Sequence, residues 1–260
     1  MTKEEKQLIF SPMLKDFETE EMKAYFMDMV AEIQDYIFTM PSSTSGKYHN
    51  ATQCLKHGQI FHIYMFSIIL NHRLRLEWNQ DRYCEPKFRD AMRCVPTFHD
   101  AVKCGWDGSK YTVANHPMLA AEWVRNTKVE HDIEYPVKEF IACCCEAHSG
   151  EWNKDRYGKV IMPKPRSEAE FFIHECDILA SRKDLDMSIP KDLKNALAKV
   201  FVNIEEKSEA KDDAKSFKFS FGKHNGKTLE EVEQIDFDYI TWLKQQDWIK
   251  EPLKTYLKEF

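Results

Sequence analysis

Residues 94–108 read CVPTFHDAVKCGWDG, and residues 113–124 read VANHPMLAAEWV. The first stretch sets His99 directly before Asp100, with Lys103 three residues further on; in the second, His116 stands before Pro117. Neighbouring side chains on a helix diverge by about 100°, so His99 and Asp100 share one ion only if it lies on the axis between them. The dipeptide alone is a weak signal. Its company strengthens it: His57, His99, Asp100, His116, His148 and Asp177 fall at about one per expected helix. Such a set converges only where several helices pack with these faces inward. Imidazole and carboxylate together suit Mn, Fe, Co, Ni or Zn better than Ca, with Mg a further option. A lone histidine on a helix is far more often a core or surface residue, and His62, His72, His131 and His174 are read that way.

Periodicity outside this stretch is helical. Asp16–Met40 carries Met22, Tyr25, Phe26, Met29, Val30, Ile33 and Ile37 at helical spacing. Gln53–Trp78 and Lys87–Lys103 read as two further long helices, His116–Asn126 as a short one opened by Pro117, and Pro136–His148 as another. Residues 150–165 hold two prolines and two glycines and read as a long loop, a kind of segment that is usually functional or disordered. Ser167–Lys183 returns to helix, with Ser167 and Glu170 in a capping-box spacing. The almost wholly charged or small stretch NIEEKSEAKDDAKS reads as a linker over 203–216, between a domain at 1–202 and a small module at 217–260. In that module FKFSFGKHNGKTL alternates apolar and polar residues around His224-Asn225-Gly226, which predicts a β-hairpin followed by two short helices. The fold expected is mainly α: a helical core with a small α+β module.

Composition agrees. With 8 Gly and 10 Pro in 260 residues, long helices are favoured over sheets and turns. A net charge of −6 argues against a surface that coats nucleic acid, while leaving room for a local basic patch at Lys218, Lys223, His224 and Lys227. Three of the eight cysteines are consecutive, a spacing foreign to disulfide frameworks and CxxC zinc sites. The apolar run Ile60–Leu70 is interrupted by His62 and is too short to cross a bilayer. No leader is visible at the first residues, and a cytoplasmic protein is expected.

The segments around His99-Asp100 and His116-Pro117 resemble the HD-domain superfamily of metal-dependent phosphohydrolases. SGKYHNATQCLKHG upstream is similar to the family's opening segment, and CEAHSGEWN and FFIHECDILASR downstream to its closing half. The resemblance spans roughly residues 45–185, with Val102 where the family commonly has glycine. It implies an all-α HD-type core and a primary metal site of His57, His99, Asp100 and Asp177. His116 and His148 would hold a second metal, with Asp100 bridging. FKFSFGKHNGKTLEEV and DYITWL are similar to a module appended to exonuclease-X-like proteins, and the combination has a phage-like look.

A phosphoester is anionic and resists hydroxide, so such a site would neutralise it and activate water. Asp100 and Lys103 are the candidate catalytic residues. Lys47, His49, Lys103 and Arg182 are candidates for touching substrate, and Trp152 and Lys164 for covering the cleft from the long loop. The expected activity is hydrolysis of a phosphoester in a nucleotide or nucleic acid, the C-terminal module being a possible nucleic-acid contact. Neither a membrane partner nor a particular oligomeric state is implied. Two rivals share these residues: a di-iron oxygenase on the same core, and a non-catalytic nucleic-acid-binding adaptor.

Overall fold

The computed structural model describes residues 1–43, 48–78, 85–185, 190–201, 218–219, 222–246, 248–249, 253–254 and 257. The chain divides into two compact units, Met1–Lys194 and Asn195–Phe260. The linker expected over 203–216 lies outside the described residues.

Unit 1 is built from α1 (Lys3–Phe10), α2 (Glu20–Ala31), α3 (Gly58–Glu77), α4 (Pro86–Phe98), α5 (His116–Asn126), α6 (Tyr135–Ala147) and α7 (Glu168–Ser181). A further helix, α8, runs over 191–201 across the division. The expected helix over Asp16–Met40 is shorter than its periodicity suggests. Ser11–Asp16 forms a 3-10 turn, Phe17 is extended, and α2 starts only after the Thr19 cap. Asp90 of α4 fixes that start. Fully buried, it accepts the Glu18 and Thr19 N–H groups and the Thr19 hydroxyl at 2.8–3.0 Å, and it pairs with Arg93 at 2.6 Å. Both Asp90 oxygens thus have donors, as a buried carboxylate requires.

Helix α3 is buried on nearly all sides, from Ile60 and Ile63 through Phe66 and Leu70 to Leu74, which makes it the central helix. It packs against α4 and α7, and α6 packs against α4, α5 and α7. Rings join the layers: Phe98 at the end of α4 stacks on Phe26 (5.7 Å) and meets Trp123 of α5 edge-on (5.4 Å). Among the described residues no helix is long and apolar enough to cross a membrane.

Helix α4 stops at Phe98, short of the expected Lys103. Pro96 lacks the N–H that would close the preceding turn. Beyond it, the His99 side chain takes the Pro96 carbonyl through Nδ1 (2.9 Å), the acceptor a continuing helix would offer to the Asp100 N–H. The chain goes on in tight turns, with bonds from Ala101 N–H to Phe98 O and from Lys103 N–H to Asp100 O. His99 and Asp100 therefore sit at a helix end, where the backbone can bring both side chains to one side.

Unit 2 holds α9 (Leu229–Ile235) and α10 (Phe237–Lys244) around a core of Phe219, Leu229, Val232, Ile240, Leu243, Ile249, Leu253 and Leu257. The β-hairpin expected here is corrected. Among the described residues its only pairing is an isolated antiparallel bridge between Lys218 and Thr228. The alternation reflects one-sided burial: Phe219 turns into the helical core while Lys218 and Lys227 stay exposed.

Candidate metal centre

Five elements contribute to one cavity of about 420 Å³. His62 comes from the first third of α3, His99 and Asp100 from the end of α4, His116 from the first turn of α5, His148 from the cap of α6, and Asp177 from α7. Their ligating atoms form two groups, each within 4.8 Å: His62, His99 and Asp177, and His99, Asp100 and His148. The imidazoles run as a chain of rings, with centroids 5.6 Å apart for His62–His99, 4.8 Å for His99–His148 and 5.3 Å for His148–His116.

Three of these histidines are oriented by one device. His99, His116 and His148 each donate Nδ1–H to the carbonyl three residues back, on Pro96 (2.9 Å), Val113 (2.9 Å) and Cys145 (2.7 Å). A neutral ring whose Nδ1 carries the proton presents a bare Nε2 lone pair, and a second hydrogen bond of this kind is what metal-ligating imidazoles ordinarily have. The bare nitrogens converge on Asp100. Nε2 of His116 lies 3.1 Å and that of His148 3.9 Å from Asp100 Oδ1, and Nε2 of His99 lies 3.2 Å from Oδ2. On the far side His62 Nε2 bonds Asp177 Oδ1 at 2.9 Å. Ligand atoms at right angles around an ion with bonds of ~2.1 Å stand ~3.0 Å apart.

Asp100 is nearly fully buried, and its two oxygens differ. Oδ2 accepts from Lys103 Nζ (2.7 Å) and Gln59 Nε2 (3.0 Å), while Oδ1 has no hydrogen-bond donor among the described residues. A buried carboxylate oxygen facing nitrogen lone pairs is costly unless a cation lies between them. Burial opposes the charge on Asp100, yet His99 and Lys103 outweigh it and hold this carboxyl well below the usual carboxylate range. Asp177 is likewise lowered against burial, by His62 and His99. Burial also works against a charged His99, but Asp100 raises it above the ordinary imidazole value. Burial and then His99 push His148 down to about 3. Lys103 and Gln59 thus answer Asp100 on its Oδ2 side, and burial keeps His148 as a neutral donor atom.

The other expected site residues are divided. His49, Trp152 and Arg182 line the cavity. Burial and then His62 push His49 down to about 4. Arg182 reaches Asp184 at the mouth, Trp152 is half exposed, and Lys103 spends two of its three N–H donors on Asp100 and Gln59. Lys164 is exposed and does not line the cavity. Lys47 lies outside the described residues.

His57 is the expected ligand that does not join the others. It precedes α3 in the left-handed region (φ 66°), its Nδ1 donates to the Phe38 carbonyl at 2.6 Å, and it does not line the cavity. Five residues along a helix turn the side chain by about 140°, so positions 57 and 62 would not face one site even on a longer α3. His62, read from sequence as a core residue, is the one brought to Asp177. The signal that marked it was the interruption of an otherwise apolar run, since a buried imidazole needs a partner. Gln53 and Gln59 were also not picked out. Gln53 bridges His49 Nδ1 (2.9 Å) and the Ala180 carbonyl (2.7 Å), and Gln59 braces Asp100 and Lys103.

In unit 2, the expected basic patch is partly spent internally. Lys223 and His224 both bind Asp236, at 2.6 and 2.7 Å, and only Lys218 and Lys227 remain exposed without an ion pair among the described residues. Residues 219–247 match the family described as Exodeoxyribonuclease X-like C-terminal. Comparisons with curated proteins and with solved structures gave no match.

Proposed function

We propose that this chain is a metal-dependent phosphohydrolase of the HD type, acting on a phosphoester bond in a nucleotide or nucleic acid. The observation that carries the reading is Asp100. Its Oδ1 is buried, lacks a hydrogen-bond donor among the described residues, and faces the Nε2 atoms of His116 and His148. His62, His99, Asp100 and Asp177 would hold a first divalent ion. Asp100, His116 and His148 would hold a second. The mixed imidazole and carboxylate set suits Mn, Fe, Co, Ni or Zn. An ion bound there supplies Lewis acidity toward a phosphoryl oxygen and lowers the pKa of a coordinated water.

The chain's own residues do the rest. Two carboxylates against one ammonium leave the metal-free site net negative when its imidazoles are neutral, so a phosphate group binds well only after a cation. Lys103 orients Asp100 and keeps one N–H donor for a phosphoryl oxygen. Arg182 offers a second cation at the mouth once it leaves Asp184. The cavity has the size of a small-ligand site, so a polynucleotide would present one nucleotide or a strand end rather than a duplex.

The match over 219–247 supports a nucleic-acid substrate, and so do the half-exposed Trp242 and Trp248, with ring centroids 6.4 Å apart. Such rings can stack on bases, which tolerates any sequence. A chain ended between Lys207 and Ala214 should keep hydrolysis of a small phosphodiester and bind oligonucleotides with a shallower salt dependence than the intact chain, because fewer counterions are released. Turnover and oligonucleotide binding at several salt concentrations check this on both forms. An unchanged salt slope would remove the C-terminal unit from substrate binding and favour a nucleotide-sized substrate. Loss of small-substrate turnover would show that unit 1 does not form the site by itself.

A further inference from the structure

His174 takes no part in either ligand group, yet it is buried one turn before Asp177 on α7. Its Nδ1 donates to the backbone carbonyl of His148 at 2.5 Å, and its Nε2 lies 3.2 Å from the Glu151 carboxylate. The turn it touches is shaped around the ring. Gly150 has φ 55°, and a Cβ there would come within 2.1 Å of His174 Cε1 and Nε2, so only glycine lets the backbone lie against the imidazole. The Trp152 ring follows, its centroid 6.1 Å from that of His174. His148 is the last turn's cap on α6, and beyond its own Nδ1 bond to Cys145 the orientation of its backbone depends on what holds that carbonyl.

We propose that His174 is a positioning residue: its Nδ1–H clamps the His148 carbonyl, with Gly150 as the surface that admits the ring, and so sets the aim of His148 in the second metal group. The clamp links α7, which carries Asp177, to the end of α6, which carries His148, so one side chain registers the two groups against each other. The inference rests on the reading of His148 as a ligand.

The test is a set of substitutions in the full chain, read by Mn²⁺ binding and stoichiometry and by thermal unfolding. His174→Asn keeps an N–H donor close to the place of imidazole Nδ1, His174→Gln moves it toward Nε2, and His174→Leu removes it. Loss of such supporting bonds typically costs 10–100-fold in metal affinity. His174→Leu should weaken binding of one of two Mn²⁺ ions by that factor, His174→Asn should restore it to within about threefold, and His174→Gln should not. If His174→Leu binds Mn²⁺ like the parent, or if Asn and Gln behave alike, the clamp is wrong. Should the Leu variant fail to fold, the comparison of Asn with Gln decides alone. His148→Ala separates the two levels: if it leaves Mn²⁺ binding unchanged, the failure lies in His148 as a ligand and not in how it is held.

Discussion

Asp100→Ala should reduce hydrolysis by more than 100-fold, whichever phosphoester proves to be the substrate. Removal of a supporting group typically costs 10–100-fold, and Asp100 stands between both candidate ions, so its loss should exceed that range. The same change strips the buried Lys103 ammonium of its closest partner, and an uncompensated buried charge costs about 3–5 kcal/mol. Asp100→Asn is therefore the sharper variant. It keeps an oxygen for Lys103 and Gln59 and removes the charge that His99, His116 and His148 face. Both variants should lose turnover, and only Asp100→Ala should melt markedly earlier. Retention of more than about a tenth of the parent turnover by Asp100→Asn, with added Mn²⁺, would mean that Asp100 is not a ligand.

The second large effect separates two histidines five residues apart. His62→Ala should cost at least 100-fold in turnover and weaken metal binding, because its Nε2 stands 2.9 Å from Asp177 Oδ1 inside the cavity. His57→Ala should leave turnover within about threefold. Its cost falls on stability: the Phe38 carbonyl loses a donor, and alanine adopts the left-handed backbone less readily than histidine does. His57→Asn, which tolerates that backbone, should lose less stability than Ala. Turnover, Mn²⁺ affinity and melting temperature for the three proteins decide the point. The opposite pattern, with His57→Ala inactive and His62→Ala active, would return the first ligand position to His57 and contradict the geometry.

The contrast between these residues shows what was legible in the sequence. The helices α5 and α6 were read almost to the residue, since Pro117 and Pro136 mark their first turns and apolar spacing runs through each. His99, Asp100, His116, His148 and Asp177 were all picked out, and all line the cavity. Two of the failures come from side chains that bond the backbone and overrule periodicity. His99 captures the Pro96 carbonyl and ends α4 early, and Asp90 fixes where α2 begins. His57 is preferred over His62 in the sequence because the resemblance puts the first ligand in SGKYHNATQCLKHG, whereas α3, expected from Gln53, starts at Gly58. A Cβ on Gly58 would come within 2.1 Å of the Gln53 carbonyl oxygen, so the chain must turn there before the helix begins. In unit 2, alternation was read as a strand pair although it records only which side of a short segment is buried.

The central claim is a functional metal on these histidines and aspartates, and its most direct test is metal content and hydrolysis measured on one preparation. The purified chain should carry one or two transition-metal ions, lose hydrolysis of a generic phosphodiester in excess chelator, and regain it with Mn²⁺. Metal affinity should fall as pH drops, because ligands must be deprotonated. Asp100 raises His99 above the ordinary imidazole value, so a proton competes for that ligand more strongly than for a free imidazole. His148, pushed down to about 3, stays neutral to much lower pH. A preparation free of transition metal that hydrolyses the phosphodiester at full rate in excess chelator would contradict the account.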